Sequence, residues 1–183
     1  MNILLIVGIV VVLIVVILVS VFAVISLDLV SYTATSNETL NATGSSVGHA
    51  LVVYDPGFSG SAKKAAERIA GDLQSKGYTV DLAGVRSKTA ANASSYDVVV
   101  AGGPMYFGKA TSSIEGFLNT LKLQQQAKLG VYVTTGSSQY VESDFLMLQQ
   151  QVTSATHNNA TIKMILDGNE TQNCADLVSA LLQ

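Results

Sequence analysis

The sequence predicts an α/β fold: a three-layer sandwich around a five-stranded parallel sheet, preceded by one transmembrane helix. Two observations predict it. Short apolar runs alternate with helix-periodic segments over residues 49–183, and strands joined through helices need crossovers that make a sheet parallel. A long uncharged stretch, residues 3–27, stands apart from them. The predicted division is therefore a transmembrane helix at 3–27, a flexible polar linker at 28–48 and a single domain at 49–183.

The N-terminal stretch is long enough to cross a membrane. Only Gly8, Ser20 and Ser26 interrupt its apolar side chains, and a bilayer core takes about 20 helical residues. A secretory signal has a shorter apolar region behind basic residues, which Met1–Asn2 do not supply. A buried core helix is the alternative, but no amphipathic segment flanks the run. We predict a single-pass anchor in the cell membrane.

Basic residues near the span and glycosylation sequons are the two signals for the side of the membrane that the domain faces. The first basic residue is Lys63, too far from the span for the positive-inside rule. Asparagine sequons favour an extracytoplasmic domain, although a polar chain also forms such triplets by chance. The sequons lie at Asn37, Asn41, Asn92, Asn159 and Asn169.

The strands and helices of the domain follow from local pattern. The first helix has one apolar face at a 3.6-residue period, formed by Ala62, Ala65, Ala66, Ile69, Ala70 and Leu73. Ser112 and Glu115 indicate a capping box at the start of a later helix. The most apolar strand, Asp97–Ala101, is expected at the centre of the sheet. The predicted strands are Ala50–Tyr54, Tyr78–Leu82, Asp97–Ala101, Leu129–Thr134 and Ile162–Leu166.

A loop after the first strand has the composition of a phosphate site. Gly57 and Gly60 let the backbone approach a ligand, and the helix that starts near Ser61 directs free N–H groups into the loop. An ordinary turn that caps a helix is the alternative. Asp55 would disfavour a dianion unless its carboxylate points elsewhere.

Aromatic residues in two further loops could contact a planar ring. The loop after the central strand, Gly102–Lys109, places Tyr106 and Phe107 between glycines. The alternative is that Phe107 folds back onto the core. Tyr140, in the loop after the fourth strand, is a candidate second wall.

Several classes of function are excluded or unsupported. A net charge of −3 with scattered Lys and Arg argues against nucleic-acid binding. Cys174 is the only cysteine, so no intrachain disulfide or cysteine-rich metal site can form. His49 and His157 lack metal-ligand spacing and are expected at the surface. The sequence shows no dinucleotide fingerprint or Ser-His-Asp set, and we predict no catalytic residues and no metal site.

Residues 50–73, 96–118 and 129–136 together resemble the flavodoxin family. The family's phosphate loop, Thr/Ser-x-Thr-Gly-x-Thr, corresponds to residues 57–62, where Ser59 and Gly60 match and the first and last hydroxyls are absent. Its Gly-x-Pro-x-Tyr-x-Gly loop corresponds approximately to residues 102–108. The resemblance implies a flavodoxin-like sheet of order 2-1-3-4-5 with an FMN site at the strand switch. The implied FMN-binding residues are Gly57, Phe58, Ser59, Gly60, Ser61, Gly103, Pro104, Met105, Tyr106, Phe107, Gly108 and Tyr140.

The expected function is a membrane-anchored flavoprotein that binds FMN and carries electrons to or from a membrane redox protein or complex. Electron transfer is favoured over true catalysis. The main alternative is a cofactor-free flavodoxin-like domain that serves as a surface or membrane-complex assembly module. An NAD(P)H:quinone reductase is a third reading, but the sequence shows no nicotinamide site.

Overall fold

A computed structural model describes residues 3–31, 34–156 and 159–183 of the chain. Its first element is a long helix, α1 (Ile3–Ser31). Within α1, Ile6–Ile25 is long and apolar enough to cross a membrane, and none of this stretch is buried. No charged side chain interrupts it. The predicted helix is therefore present.

The domain is built on a seven-stranded sheet in which five strands are parallel. Those five have the predicted order 2-1-3-4-5, which in the numbering of this structure is β3-β2-β4-β6-β7. We call the edge at which the parallel strands end the carboxyl edge, and the opposite one the amino edge. The strands are β1 (Asn37–Leu40), β2 (Gly48–Tyr54), β3 (Tyr78–Gly84), β4 (Val98–Tyr106), β5 (Lys109–Ala110), β6 (Lys128–Thr135) and β7 (Thr161–Leu166).

Helices cover both faces of the sheet and give the predicted three layers. Side chains of α2 and α5 form one apolar core with the sheet, and those of α3, α4 and a short 3-10 helix form the other. All six predicted apolar positions of the first helix are buried. The helices are α2 (Ser61–Ser75), α3 (Ser112–Thr120), α4 (Glu142–Thr156), α5 (Glu170–Leu182) and the 3-10 helix Ala90–Ser95.

Strand β4 lies at the centre of the sheet, as its composition predicted. Its first seven residues are buried, because helices pack on both faces and β2 and β6 flank it. Gly102 leaves room there for Tyr132 of β6. The Tyr132 hydroxyl donates to the carbonyl of Ala62 at 2.9 Å and so ties the sheet to α2.

The predicted flexible linker contains a strand that its composition did not reveal. Residues 37–40 form β1, which pairs antiparallel with β3, and Thr39 donates to Asp81 at 2.5 Å. The edge of β3 offers unpaired backbone groups, and pairing with them requires no apolar side chains. The expectation of a tether without structure is therefore wrong for residues 37–40. The division into three regions remains a prediction.

The predicted capping box of α3 is also wrong. The residue at the cap position is Thr111, one residue before Ser112, and its own side chain makes no capping hydrogen bond. The Glu115 carboxylate instead accepts a hydrogen bond from the amide of Gln151 at 3.1 Å. The Glu115 carboxylate thus ties α3 to α4.

Candidate functional site

The first glycine-bearing loop connects β2 to α2 at the carboxyl edge. Gly57 and Gly60 have φ angles of 60° and 72°, in the left-handed region that side chains rarely adopt. A Cβ on Gly57 would lie 2.6 Å from Cγ of Pro104 in the second loop. The two loops are therefore in direct contact, and both glycines are needed for the path of the first one.

The N-terminus of α2 is open towards this loop. Its cap residue is Gly60, which has no side chain to accept a capping hydrogen bond. The Ser61 N–H donates to Oγ of Ser59 at 3.3 Å, and the hydroxyls of these two serines are 3.1 Å apart. The N–H groups of a first helical turn have no acceptor within the helix, and the helix dipole adds positive charge there. A phosphate group fits such a position.

Asp55 is bound by the start of a different helix. Its side chain is completely buried. It accepts hydrogen bonds from the Gly57 N–H at 3.1 Å, from the Thr111 hydroxyl at 3.0 Å and from the Ser113 hydroxyl. The last two donors belong to the cap and first turn of α3. Donors of α3 thus compensate the negative charge of Asp55, which weakens its repulsion of an anion at α2.

The second loop projects aromatic residues from the centre of the carboxyl edge. β4 and β5 form a tight hairpin in which Tyr106 pairs with Lys109. Phe107, at the turn, is 79% exposed, so the alternative that it folds back onto the core is wrong. Tyr106 is half-buried. It lines the space beside the first loop.

A cavity of about 530 Å³ opens between these loops. This volume lies within the range of small-molecule sites, roughly 300–1,000 Å³. The third loop closes one side with Thr134, Thr135 and Gly136. Phe58 is 78% exposed at the rim and does not fill the cavity. The glycine-bearing loops therefore enclose a cleft between them.

The structure brings together about half of the residues implied by the resemblance. Six of these residues do not line the cavity: Gly57, Gly60, Gly103, Phe107, Gly108 and Tyr140. The Tyr140 ring packs on Phe145, with centroids 5.7 Å apart. Whether any of these residues binds a cofactor stays a prediction. Those that line the cavity are Phe58, Ser59, Ser61, Pro104, Met105 and Tyr106.

Sequence reasoning missed one corner of the cavity. Ile165, Leu166, Asp167 and Glu170, from the end of β7 and the start of α5, line it beside Lys64 of α2. The usable signal was the position of β7, since the last parallel strand ends at the same edge as the others. Val24 and Ile25 of α1 line the cavity mouth as well.

Burial and a neighbouring carboxylate hold the hydroxyl of Tyr140, in the loop after β6, in its neutral form. Desolvation, with the Glu142 carboxylate adding to it, raises the pKa of Tyr140, so this hydroxyl stays protonated at neutral pH. In the part of the chain that the structure describes, no three His, Cys, Asp or Glu side chains group as metal ligands would. His49 is exposed, and His157 lies outside the described residues.

Comparisons with known proteins agree with this geometry. The profile of a flavodoxin domain family matches residues 52–168, more than half of the chain. A flavodoxin from the domain Archaea superposes with a TM-score of 0.51 at 15% identity, covering 74% of this chain and 99% of its own. A flavodoxin of Streptococcus pneumoniae TIGR4 gives 0.52 at 18% identity, with coverages of 72% and 97%. A WrbA-like flavodoxin from Agrobacterium tumefaciens gives 0.55 at 15% identity, with coverages of 74% and 98%. No curated protein matches the chain significantly.

Proposed function

The chain belongs to the flavodoxin domain family, and from that premise we propose that it binds FMN and carries electrons at a membrane. The fold of this family points to a flavin-binding redox function. Bound FMN would supply the redox chemistry, and the protein would hold, orient and shield it. The observation that carries the proposal is the glycine-capped N-terminus of α2, beside a cavity that Tyr106 lines.

The phosphate would be held at the start of α2. Free N–H groups of the first turn and the hydroxyls of Ser59 and Ser61 are donors of the kind that a phosphate requires. Two hydroxyls of the family loop are absent, but Ser61 lies 3.1 Å from Ser59 and supplies one in their place. The Asp55 carboxylate already accepts hydrogen bonds from Thr111 and from the Gly57 N–H, so its charge is compensated there.

The ring system would lie in the cleft between the three loops. Tyr106 offers a half-buried aromatic face, and Pro104 and Met105 add apolar wall. Backbone groups around Thr134–Gly136 would contact the polar edge of the ring and influence its reduction potential. No side chain needs to act as an acid or a base.

The membrane part of the proposal is supported by α1. A helix of this length and composition would anchor the domain beside a membrane redox protein or complex. We place the domain on the extracytoplasmic side, because the asparagines of all five sequons are exposed.

An absorbance spectrum tests the cofactor assignment. The full chain, purified in detergent from its native source, should be yellow, and apo-protein prepared from it should bind added FMN. Failure to bind at high micromolar FMN would remove the cofactor role.

A cofactor-free assembly module is the second candidate. The two absent hydroxyls and the exposed sequons favour it. Glycan mass at Asn37 or Asn92, found together with no bound flavin, would decide for this function over electron transfer.

A further inference from the structure

We propose that the carboxyl edge of the sheet, including the mouth of the cavity, rests on the surface of the lipid bilayer that α1 crosses. The proposal depends on the membrane anchor of the proposed function and not on the flavin.

After α1, the chain joins the domain at the end of β3. The Gly84 N–H donates to the carbonyl of Ser36 at 2.8 Å, and the Arg86 N–H donates to that of Ala34 at 2.9 Å. Ala34 itself is buried. These bonds attach the start of the segment to the end of β3, which is the carboxyl edge.

The short segment between α1 and Ala34 keeps the end of α1 close to the carboxyl edge. Ala34 follows the end of α1 at Ser31 by three residues, and three Cα–Cα steps of 3.80 Å reach at most about 11 Å. β1 then runs antiparallel to β3, away from the carboxyl edge. A seven-residue strand is about 23 Å long, so the amino edge lies up to that much farther from the anchor.

The end of the apolar span in α1 also contacts the cavity. Val24 and Ile25, at the end of the apolar span, line the same cavity as Phe58 and Tyr106. The span thus ends beside the site and not beneath the opposite end of the domain.

Exposed apolar side chains of the domain are concentrated at the carboxyl edge. Among the described residues outside α1, seven large apolar side chains are exposed, and six of them lie at the carboxyl edge or on the first turns of α4, which start there. Met147 packs against Gly108 of the β4–β5 hairpin, so the α4 group adjoins that loop. We call these six the apolar rim: Phe58, Phe107, Tyr140, Val141, Leu146 and Met147.

The amino edge differs from the apolar rim. Among the described residues, its exposed large apolar side chain is Val47, at 68%. A monomeric soluble domain would distribute such side chains singly over its surface. Aromatic and aliphatic side chains on one edge, next to a membrane helix, have the composition of an interfacial binding surface. The lipid interface is therefore the occupant that the geometry favours.

Single tryptophans provide a direct test, since the chain has none of its own. The full chain is reconstituted in vesicles of ordinary or acyl-brominated phosphatidylcholine, with Phe107→Trp or Leu146→Trp as probes. Val47→Trp is the matched control at the amino edge, because the exposed fraction of Val47, 68%, lies between those of Phe107 and Leu146. Comparing the same variant in the two lipids cancels quenching by any bound flavin. Circular dichroism confirms that each variant is folded.

We expect a roughly two-fold or greater loss of emission for both rim probes in brominated lipid, because interfacial side chains enter about 5–10 Å into the bilayer. Val47→Trp should change little. Equal quenching at both edges, or none at either, would overturn the proposal while leaving the anchor intact. Emission of the rim probes that depends on protein density instead of bromine would show a second copy as occupant and overturn it too. If the chain fails to float with vesicles, the anchor itself is wrong.

Discussion

The N-termini of α2 and α3 lie at the same edge of the sheet but differ in what occupies them. The start of α3 is filled from within, because its Thr111 and Ser113 hydroxyls donate to the buried Asp55 carboxylate. The start of α2 has a glycine cap, which carries no side chain, and its first N–H donates to the neighbouring Ser59 hydroxyl. The N-terminus of α3 thus binds a carboxylate of the same chain, and we propose that the N-terminus of α2 binds an external phosphate.

The difference shows how a loop can contain an acidic residue and still bind an anion. Asp55 lies directly before the phosphate loop, yet its charge is compensated by donors of the neighbouring helix. The internal anion holds β2, the first loop and α3 together. The other helix end is left for an external anion.

Removing the internal anion should have the largest effect. Asp55→Ala leaves the Thr111 and Ser113 hydroxyls and the Gly57 N–H without their acceptor, so we expect the free energy of unfolding to fall by about 3 kcal/mol. Urea denaturation of the full chain in micelles, followed by circular dichroism, measures it. Asp55→Asn keeps one oxygen acceptor and should lose less. A stability unchanged in Asp55→Ala would contradict the role given to this carboxylate.

A Cβ in the open loop should separate steric contact from backbone strain. Gly57→Ala meets both, since its Cβ would lie 2.6 Å from Pro104, and we expect a loss of about 2 kcal/mol or more. Gly60→Ala has an equally positive φ but no neighbour within 4 Å, so strain alone should cost about 1 kcal/mol. The same denaturation experiment compares them. Equal losses would mean that the two loops do not touch.

An internal anion placed at α2 should make it resemble α3. Ser59→Asp puts a carboxylate where the phosphate is proposed, and we expect FMN affinity to fall at least about tenfold through charge repulsion. Folding should be retained, because Asp is favourable at a helix N-terminus. Ser59→Asn has the same shape without the charge and serves as control. FMN titration measures both, and equal affinities would place the phosphate elsewhere.

The smallest effect concerns the core beneath α2. Burial raises the pKa of the Cys174 thiol to about 12, and its Sγ lies 3.8 Å from the carbonyl of Ala65 on α2. The unfolded thiol titrates near 9, so its contribution to stability is complete below that pH and is lost as the pH rises towards 12. Cys174→Ala should therefore show a shallower alkaline loss of stability. Iodoacetamide should label native Cys174 slowly at pH 8, and fast labelling without unfolding would contradict its burial.

The sequence predicted what local pattern encodes. The apolar face of α2 and the apolar run of β4 were found because a helix period and a buried strand need only neighbouring residues. β1 was missed because backbone pairing with β3 leaves no apolar signature. The cap of α3 was missed because its hydroxyl donates to Asp55, 56 positions earlier in the chain.

The candidate site likewise contains residues that local composition could identify and residues whose position depends on the folded chain. Loops with unusual glycines, such as the one at Gly57, could be identified as candidates from composition. Asp167 and Glu170 are ordinary polar residues whose place beside Lys64 follows from the order of the strands alone. The attachment of the anchor at Gly84 likewise depends on a pairing that no local signal reports.

The central claim, that the open end of α2 holds the phosphate of a flavin nucleotide, is tested most directly by comparing FMN with riboflavin. The two ligands share the ring system and differ in the phosphate, so the ratio of their dissociation constants reports the contribution of this helix end. We predict that the full chain in micelles binds FMN at least about tenfold more tightly than riboflavin. Equal affinity for the two, or no binding of FMN at high micromolar concentration, would contradict the account.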